Sequence, residues 1–123
     1  MRVLIADDEK GVATVVADLV RSCEHEVVDV VNSGLDAIRS YQKHKPDVVL
    51  MDFNMSRLNG LTACRNILCG DPSGRIVFLS GASLATQLNP EQSGAVAVLQ
   101  KPIAISELKT LLDRLSEPAA TGS

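Results

Sequence analysis

The chain has 123 residues, 46% hydrophobic and 22% charged, which suits one soluble domain with a buried core. A formal net charge of −3 leaves no basic footprint for nucleic acid, and no apolar run approaches the roughly 18 residues of a membrane span. The N-terminus MRVLIADDEK is too short and too acidic for a secretory signal, so the expected location is the cytoplasm.

Five apolar runs alternate with four helical patterns. RVLIA (2–6) predicts the first strand. Val12, Val15, Val16, Leu19, Val20 and Cys23 then recur at spacings of three and four, which predicts a helix over 11–23. EVVDVV (26–31) predicts a second strand, and Asp29 in its middle marks it as an edge strand. Leu35, Ile38 and Tyr41 predict a helix over 34–44. DVVLM (47–51) is the third strand, followed by LTACRNILC (61–69), whose Leu61, Cys64, Ile67 and Leu68 share one stripe. RIVFLS (75–80) and AVAVLQ (95–100) are the fourth and fifth strands. SELKTLLDRL (106–115) closes the pattern, with Ser106 as its expected N-cap and Leu108, Leu111, Leu112 and Leu115 on one face. Continuous Val/Ile/Leu runs fit strands buried on both faces of a parallel sheet. The expected fold is therefore an α/β, flavodoxin-like (βα)5 doubly wound sandwich, with a five-stranded sheet of order 2-1-3-4-5. One domain spans 1–116, and EPAATGS (117–123) is a flexible tail or linker.

Cys23, Cys64 and Cys69 are odd in number, show no C-x-x-C and lie away from any zinc-ligand pattern with His25 or His44. They are expected to be small buried hydrophobes in a reducing compartment. The acids are more telling. Asp7 and Asp8 follow the first strand, Asp52 ends the third, Ser80 ends the fourth and Lys101 follows the fifth. Ligands of a doubly wound sheet bind at the carboxyl ends of its strands, and strands 1 and 3 are neighbours at the switch point. Three carboxylates gathered there repel unless a cation joins them, and Mg²⁺, or Mn²⁺ in its place, suits such a donor set. With a hydroxyl and an ammonium beside them, the group has the parts of a phosphoryl-transfer site in which an Asp is the nucleophile.

In this arrangement, over residues 1 to about 116, the chain resembles a response regulator receiver domain of the CheY-like kind. The resemblance is carried by Asp7–Asp8, by DFNMSRLNG (52–60), by Ser80 with GA after it, by GA at 94–95, and by Lys101–Pro102. It implies that Asp52 is the phosphoacceptor. It also implies that Asp8 and Asp52 ligate Mg²⁺ directly, that Asn54 does so through its backbone carbonyl, and that Asp7 holds a metal-bound water. Lys101 would pair with the phosphoryl group or with Asp52, Ser80 would be the switch hydroxyl, and the Lys101–Pro102 bond would be cis. The phosphoryl donor would be a sensor histidine kinase or a phosphotransfer protein. The output would go to a protein target or to an effector domain absent from this sequence, with no direct nucleic acid or membrane binding.

Three departures from the family pattern stand out: the first loosens the loop beside Asp52 without loss of chemistry, and the other two bear on output. Ser56 stands where proline is usual, and Val98 stands where an aromatic residue usually swings inward. The segment GASLATQLNPEQS (81–93), expected to supply a helix, carries Pro90, which predicts a short, broken or mobile helix or a new turn capped by Asn89. An aspartyl-phosphate phosphatase would want a second Asp at 54, where Asn54 stands. A nucleotide-binding module would want glycines in place of ADDEKG. The chain is thus expected to be a phosphoacceptor that catalyses only its own phosphorylation and dephosphorylation. The alternative is a receiver-fold interaction module whose output is atypical or independent of phosphorylation.

Overall fold

The computed structural model describes residues 1–53, 55, 60–80, 94–101 and 103–116. Its strands are β1 (Arg2–Ala6), β2 (Glu26–Val31), β3 (Val48–Asp52), β4 (Ile76–Ser80) and β5 (Ala97–Gln100). The described helices are α1 (Lys10–Ser22), α2 (Gly34–His44), α3 (Gly60–Gly70) and α4 (Ile105–Ser116). All four strand pairings are parallel, and the order is β2-β1-β3-β4-β5, as the sequence predicts. The expectations for Asn54, Ser56, Pro90 with the segment 81–93, the Lys101–Pro102 bond and the tail 117–123 lie outside the described residues.

Side-chain alternation divides the core into two layers. Leu4, Val49, Met51, Ile76 and Phe78 pack with Ala37 and Tyr41 of α2 and Ala63, Cys64 and Ile67 of α3. Val3, Ile5, Val48, Leu50, Val77 and Leu79 pack with Val16 and Val20 of α1 and Leu108 and Leu112 of α4. Every residue of β3 and β4 is buried, which explains why those runs have no polar interruption. Full burial of each Val, Leu, Ile, Met or Phe side chain of these strands contributes about 1.5–3 kcal/mol of transfer free energy.

β2 lies at the sheet edge, as Asp29 suggested. Its register against β1 skips Val28, since Val3 pairs with Val27 and Leu4 with Asp29. The half-buried Asp29 carboxylate is satisfied by the Ser40 hydroxyl, which donates to it at 2.7 Å. α2 is closed at both ends. The Ser33 hydroxyl accepts from the Asp36 amide at 3.1 Å, and Lys45 turns left-handed with φ 48° to return its amide to Tyr41. Tyr41 in turn donates from its hydroxyl to Asp71 at 2.7 Å, tying α2 to the turn before β4. Burial, and then this bond to Asp71, push the Tyr41 phenol up to about 12.

Three expectations need correction. α4 starts at Ile105, with the Leu108 amide donating to the Ala104 carbonyl, so Ser106 lies inside the first turn and is not its cap. Val15 and Leu35 recur at apolar spacing but are 57% and 48% exposed, because at 3.6 residues per turn each falls about 150° from the centre of the face its helix buries, through Val16 and Val20 in α1 and Ala37 and Tyr41 in α2. Cys23 and Cys64 are buried, whereas Cys69 points outward from the last turn of α3. No helix among the described residues is long and apolar enough to cross a membrane.

Candidate functional site

The parallel sheet sends all its strands out at one end, and the chemistry gathers there. Asp7 follows β1 directly and is fully buried; its amide donates to the Val31 carbonyl of β2, so the edge strand holds its backbone. Its carboxylate accepts from the Glu9 amide at 2.9 Å, which turns the chain into α1. Asp52 is the last residue of β3 and only 5% exposed. Its register opposite Leu79, and the Phe53 amide's bond to the Leu79 carbonyl at 3.0 Å, lock the end of β3 onto β4. Asp8 is the most open of the three acids. One carboxylate oxygen from each of Asp7, Asp8 and Asp52 lies within 4.8 Å of the others.

Lys101 enters from the end of β5. Its amide donates to the Ser80 carbonyl at 2.7 Å, which extends the β4–β5 ladder by one bond beyond the strands. Its ammonium reaches Asp7 at 2.9 Å and Asp52 at 3.4 Å. Partial burial disfavours the lysine's charge, but the two carboxylates outweigh it and raise its pKa above the usual lysine value. Ser80 is fully buried at the end of β4, beside β3 and under the Lys101 backbone.

The structure therefore brings together Asp7, Asp8, Asp52, Ser80 and Lys101, five residues at the ends of four strands, the outermost two 94 positions apart in sequence. Asn54 lies outside the described residues. Lys101 bridges two acids, and its shorter contact is to Asp7, a partner that strand order alone did not single out. Gly60 also went without a role in the sequence reading. Its amide donates to the Phe53 carbonyl at 2.9 Å, and it sits against the backbone of Asp52. Behind the site, the Phe53 ring meets Phe78 edge to face at 5.3 Å.

Three carboxylates in this small volume carry more negative charge than one ammonium offsets. Their hard oxygen donors fit a divalent cation such as Mg²⁺, which takes one or two carboxylates and completes its shell with water and phosphate oxygens.

Comparisons with known proteins agree with this geometry. The family model for the response regulator receiver domain matches residues 3–113. The chain is 30% identical over 117 residues to the chemotaxis protein CheY of Thermotoga maritima, covering 94% of this chain and 98% of that one. It is 33% identical over 107 residues to the transcriptional regulatory protein PdtaR of Mycobacterium tuberculosis, covering 87% of this chain but 52% of that longer protein. Among solved structures, a chain of the CheX-CheY-BeF3-Mg+2 complex from Borrelia burgdorferi matches with a TM-score of 0.88 at 24% identity, over 96% of this chain and 90% of that one. A response regulator receiver domain protein from Clostridium thermocellum matches with a TM-score of 0.83, also at 24% identity, over 93% and 92%. At that identity the structural matches establish the fold, while the family model and the sequence relatives go further: the chain belongs to the response regulator receiver domains, the phosphoacceptor modules of two-component signalling.

Proposed function

We propose that Asp52 is the phosphoacceptor of this receiver domain and that Asp7, Asp8, Ser80 and Lys101 serve its phosphorylation. The observation that carries this reading is the convergence on Asp52 of two further carboxylates and a lysine ammonium at the open end of a parallel sheet. An Asp52 carboxylate oxygen attacks the phosphorus of a phosphohistidine on a sensor kinase or phosphotransfer protein. The new P–O bond makes an aspartyl phosphate, the P–N bond breaks, and the imidazole leaves with a proton. Hydrolysis later returns the carboxylate and inorganic phosphate.

Asp8 and Asp52 would hold Mg²⁺ directly, with Asn54 adding its backbone carbonyl and Asp7 a bound water. When bound, the cation neutralises charge on the phosphoryl oxygens. Lys101 offers a positive charge to the same oxygens and orients Asp52 before they arrive. Ser80, at the end of the neighbouring strand, has a hydroxyl to offer the phosphoryl group, and its displacement toward that group would pull on β4. Output then passes to a protein partner or an effector domain. The functional unit is residues 1–116, with 117–123 as tail or linker, acting in the cytoplasm.

Incubation with Mg²⁺ and acetyl phosphate, read by intact mass, tests the assignment. A gain of one phosphoryl group that requires Mg²⁺ and disappears in Asp52→Asn is the expected result. Phosphorylation that persists in Asp52→Asn would overturn it.

A further inference from the structure

Gly60 opens α3, and its place there is not explained by backbone conformation. Its φ lies outside the left-handed region, so an L side chain could adopt the same backbone. Glycine is also among the poorest helix formers, so alanine would favour α3 on local grounds. What glycine supplies is space. A Cβ built on Gly60 would lie 2.5 Å from the Asp52 carbonyl oxygen, 2.9 Å from the Phe53 Cα and 3.2 Å from the Phe53 carbonyl oxygen. All three are backbone atoms, so no flexible side chain can swing aside.

The Asp52–Phe53 segment has nowhere to retreat. On the far side it is held to β4 by the register of Asp52 with Leu79 and by the Phe53 amide's bond to the Leu79 carbonyl. On the near side the Gly60 amide itself donates to the Phe53 carbonyl at 2.9 Å. α3 is thus seated directly on the peptide that carries the Asp52 carboxylate, and this carboxylate's oxygen lies 3.4 Å from the Lys101 ammonium.

We propose that Gly60 is a positioning residue for Asp52: its bare Cα lets α3 close on the Asp52–Phe53 backbone and so fixes where the acceptor carboxylate stands relative to Asp7, Asp8 and Lys101. Bringing the nearest contact from 2.5 Å to ordinary van der Waals distance requires a displacement of close to 1 Å at Asp52 or at the start of α3. A misplacement of that size costs a reacting group up to about 100-fold in rate. The inference rests on the reading of Asp52 as phosphoacceptor for its kinetic arm, but its spectroscopic arm does not.

The experiment compares Gly60→Ala with Gly70→Ala, a control in the same helix where an added Cβ meets nothing within 4 Å. Amide NMR is recorded without metal and through a Mg²⁺ titration, and phosphorylation by acetyl phosphate is followed by mass. Gly60→Ala is expected to shift the Asp52, Phe53 and Lys101 amides without metal, to weaken Mg²⁺ binding several-fold, and to slow phosphorylation about 10- to 100-fold. Gly70→Ala is expected to match the unmodified chain in all three. A folded Gly60→Ala variant with unmoved Asp52 and Lys101 amides and unaltered Mg²⁺ affinity overturns the proposal. Should Gly60→Ala not fold, the unmodified chain decides. The Gly60 amide must then move with the Mg²⁺ titration while that of Gly70 stays still, and a silent Gly60 amide overturns the idea. Failure of the unmodified chain to take up phosphate would count against the phosphoacceptor reading, and the metal-free shifts would still judge Gly60.

Discussion

Replacing Lys101 by methionine isolates the electrostatics of the site, because Met keeps most of the apolar stem and removes the charge. The ammonium lies 2.9 Å from Asp7 and 3.4 Å from Asp52, gross attractions of about 6 and 5 kcal/mol at an effective dielectric constant near 20. Each pair among Asp7, Asp8 and Asp52, with oxygens no more than 4.8 Å apart, repels by about 3.5 kcal/mol or more on the same scale. Attraction and repulsion thus nearly cancel, so the lysine neutralises the strain of the acidic cluster and leaves little net stabilisation. Its loss has a ceiling. Once the unbalanced repulsion exceeds about 4 kcal/mol at pH 7, an ordinary carboxyl takes up a proton instead. The expected destabilisation of metal-free Lys101→Met is therefore about 2–4 kcal/mol, overlapping the roughly 3–5 kcal/mol for breaking a buried pair from one side. Urea denaturation measures it. Adding Asp7→Asn removes the lysine's closest partner and one source of repulsion, so the double variant should recover at least about 1 kcal/mol relative to Lys101→Met alone. Mg²⁺ should raise the stability of Lys101→Met more than that of the unmodified chain, since no ammonium then competes for the acids. A loss below about 0.5 kcal/mol, or no recovery with Asp7→Asn, would show that solvent already screens the cluster and would refute the reasoning.

Two further predictions concern the rest of the core. Because burial and Asp71 push the Tyr41 phenol up to about 12, the folded state keeps its proton where the unfolded chain loses it near pH 10. That contribution is complete below pH 10 and is lost as pH rises toward 12, amounting to roughly 2–3 kcal/mol by linkage. Tyr41→Phe should cost about 1 kcal/mol at pH 7 and flatten this alkaline slope, and an unchanged slope from pH 10 to 12 would assign it to other groups. Burial pushes the Cys64 thiol up to about 11, whereas Cys69 is exposed. At pH 8 iodoacetamide should therefore add one label, at Cys69, and reach Cys23 and Cys64 only on unfolding; early labelling of Cys64, read by peptide mass, would show that α3 opens readily.

The strands were legible because burial on both faces leaves β3 and β4 no room for polar residues, and the ends of the runs then announced themselves. Asp52 is conspicuous in the sequence for the same reason that it is useful in the fold: it is the first charge after an unbroken apolar run, so the strand delivers it to the sheet's open end. Margins were less legible. The N-terminal turn of α4 formed one residue ahead of Ser106 because the backbone bond from Leu108 to Ala104 closes without a side-chain cap. Cys69 lies about 140° round α3 from Cys64, on the face turned away from Ala63, Cys64 and Ile67, so it meets solvent although it belongs to the same apolar run.

The site divides along the same line. Which residues meet follows from topology, since parallel strands in the order β2-β1-β3-β4-β5 must release Asp7, Asp52, Ser80 and Lys101 at one end. How they meet does not. Lys101 is closer to Asp7 than to Asp52 by half an ångström, the difference between 2.9 and 3.4 Å. A difference that small is set by what stands behind each acid. Asp7 is tied by its backbone to β2 and by its carboxylate to the Glu9 amide. Asp52 is clamped between the β4 ladder and the bare Cα of Gly60. The sequence names the acids at the ends of strands, but it encodes their distances in residues with no charge at all. A glycine that carries no chemistry therefore belongs to the reading of the site as much as the aspartate it supports.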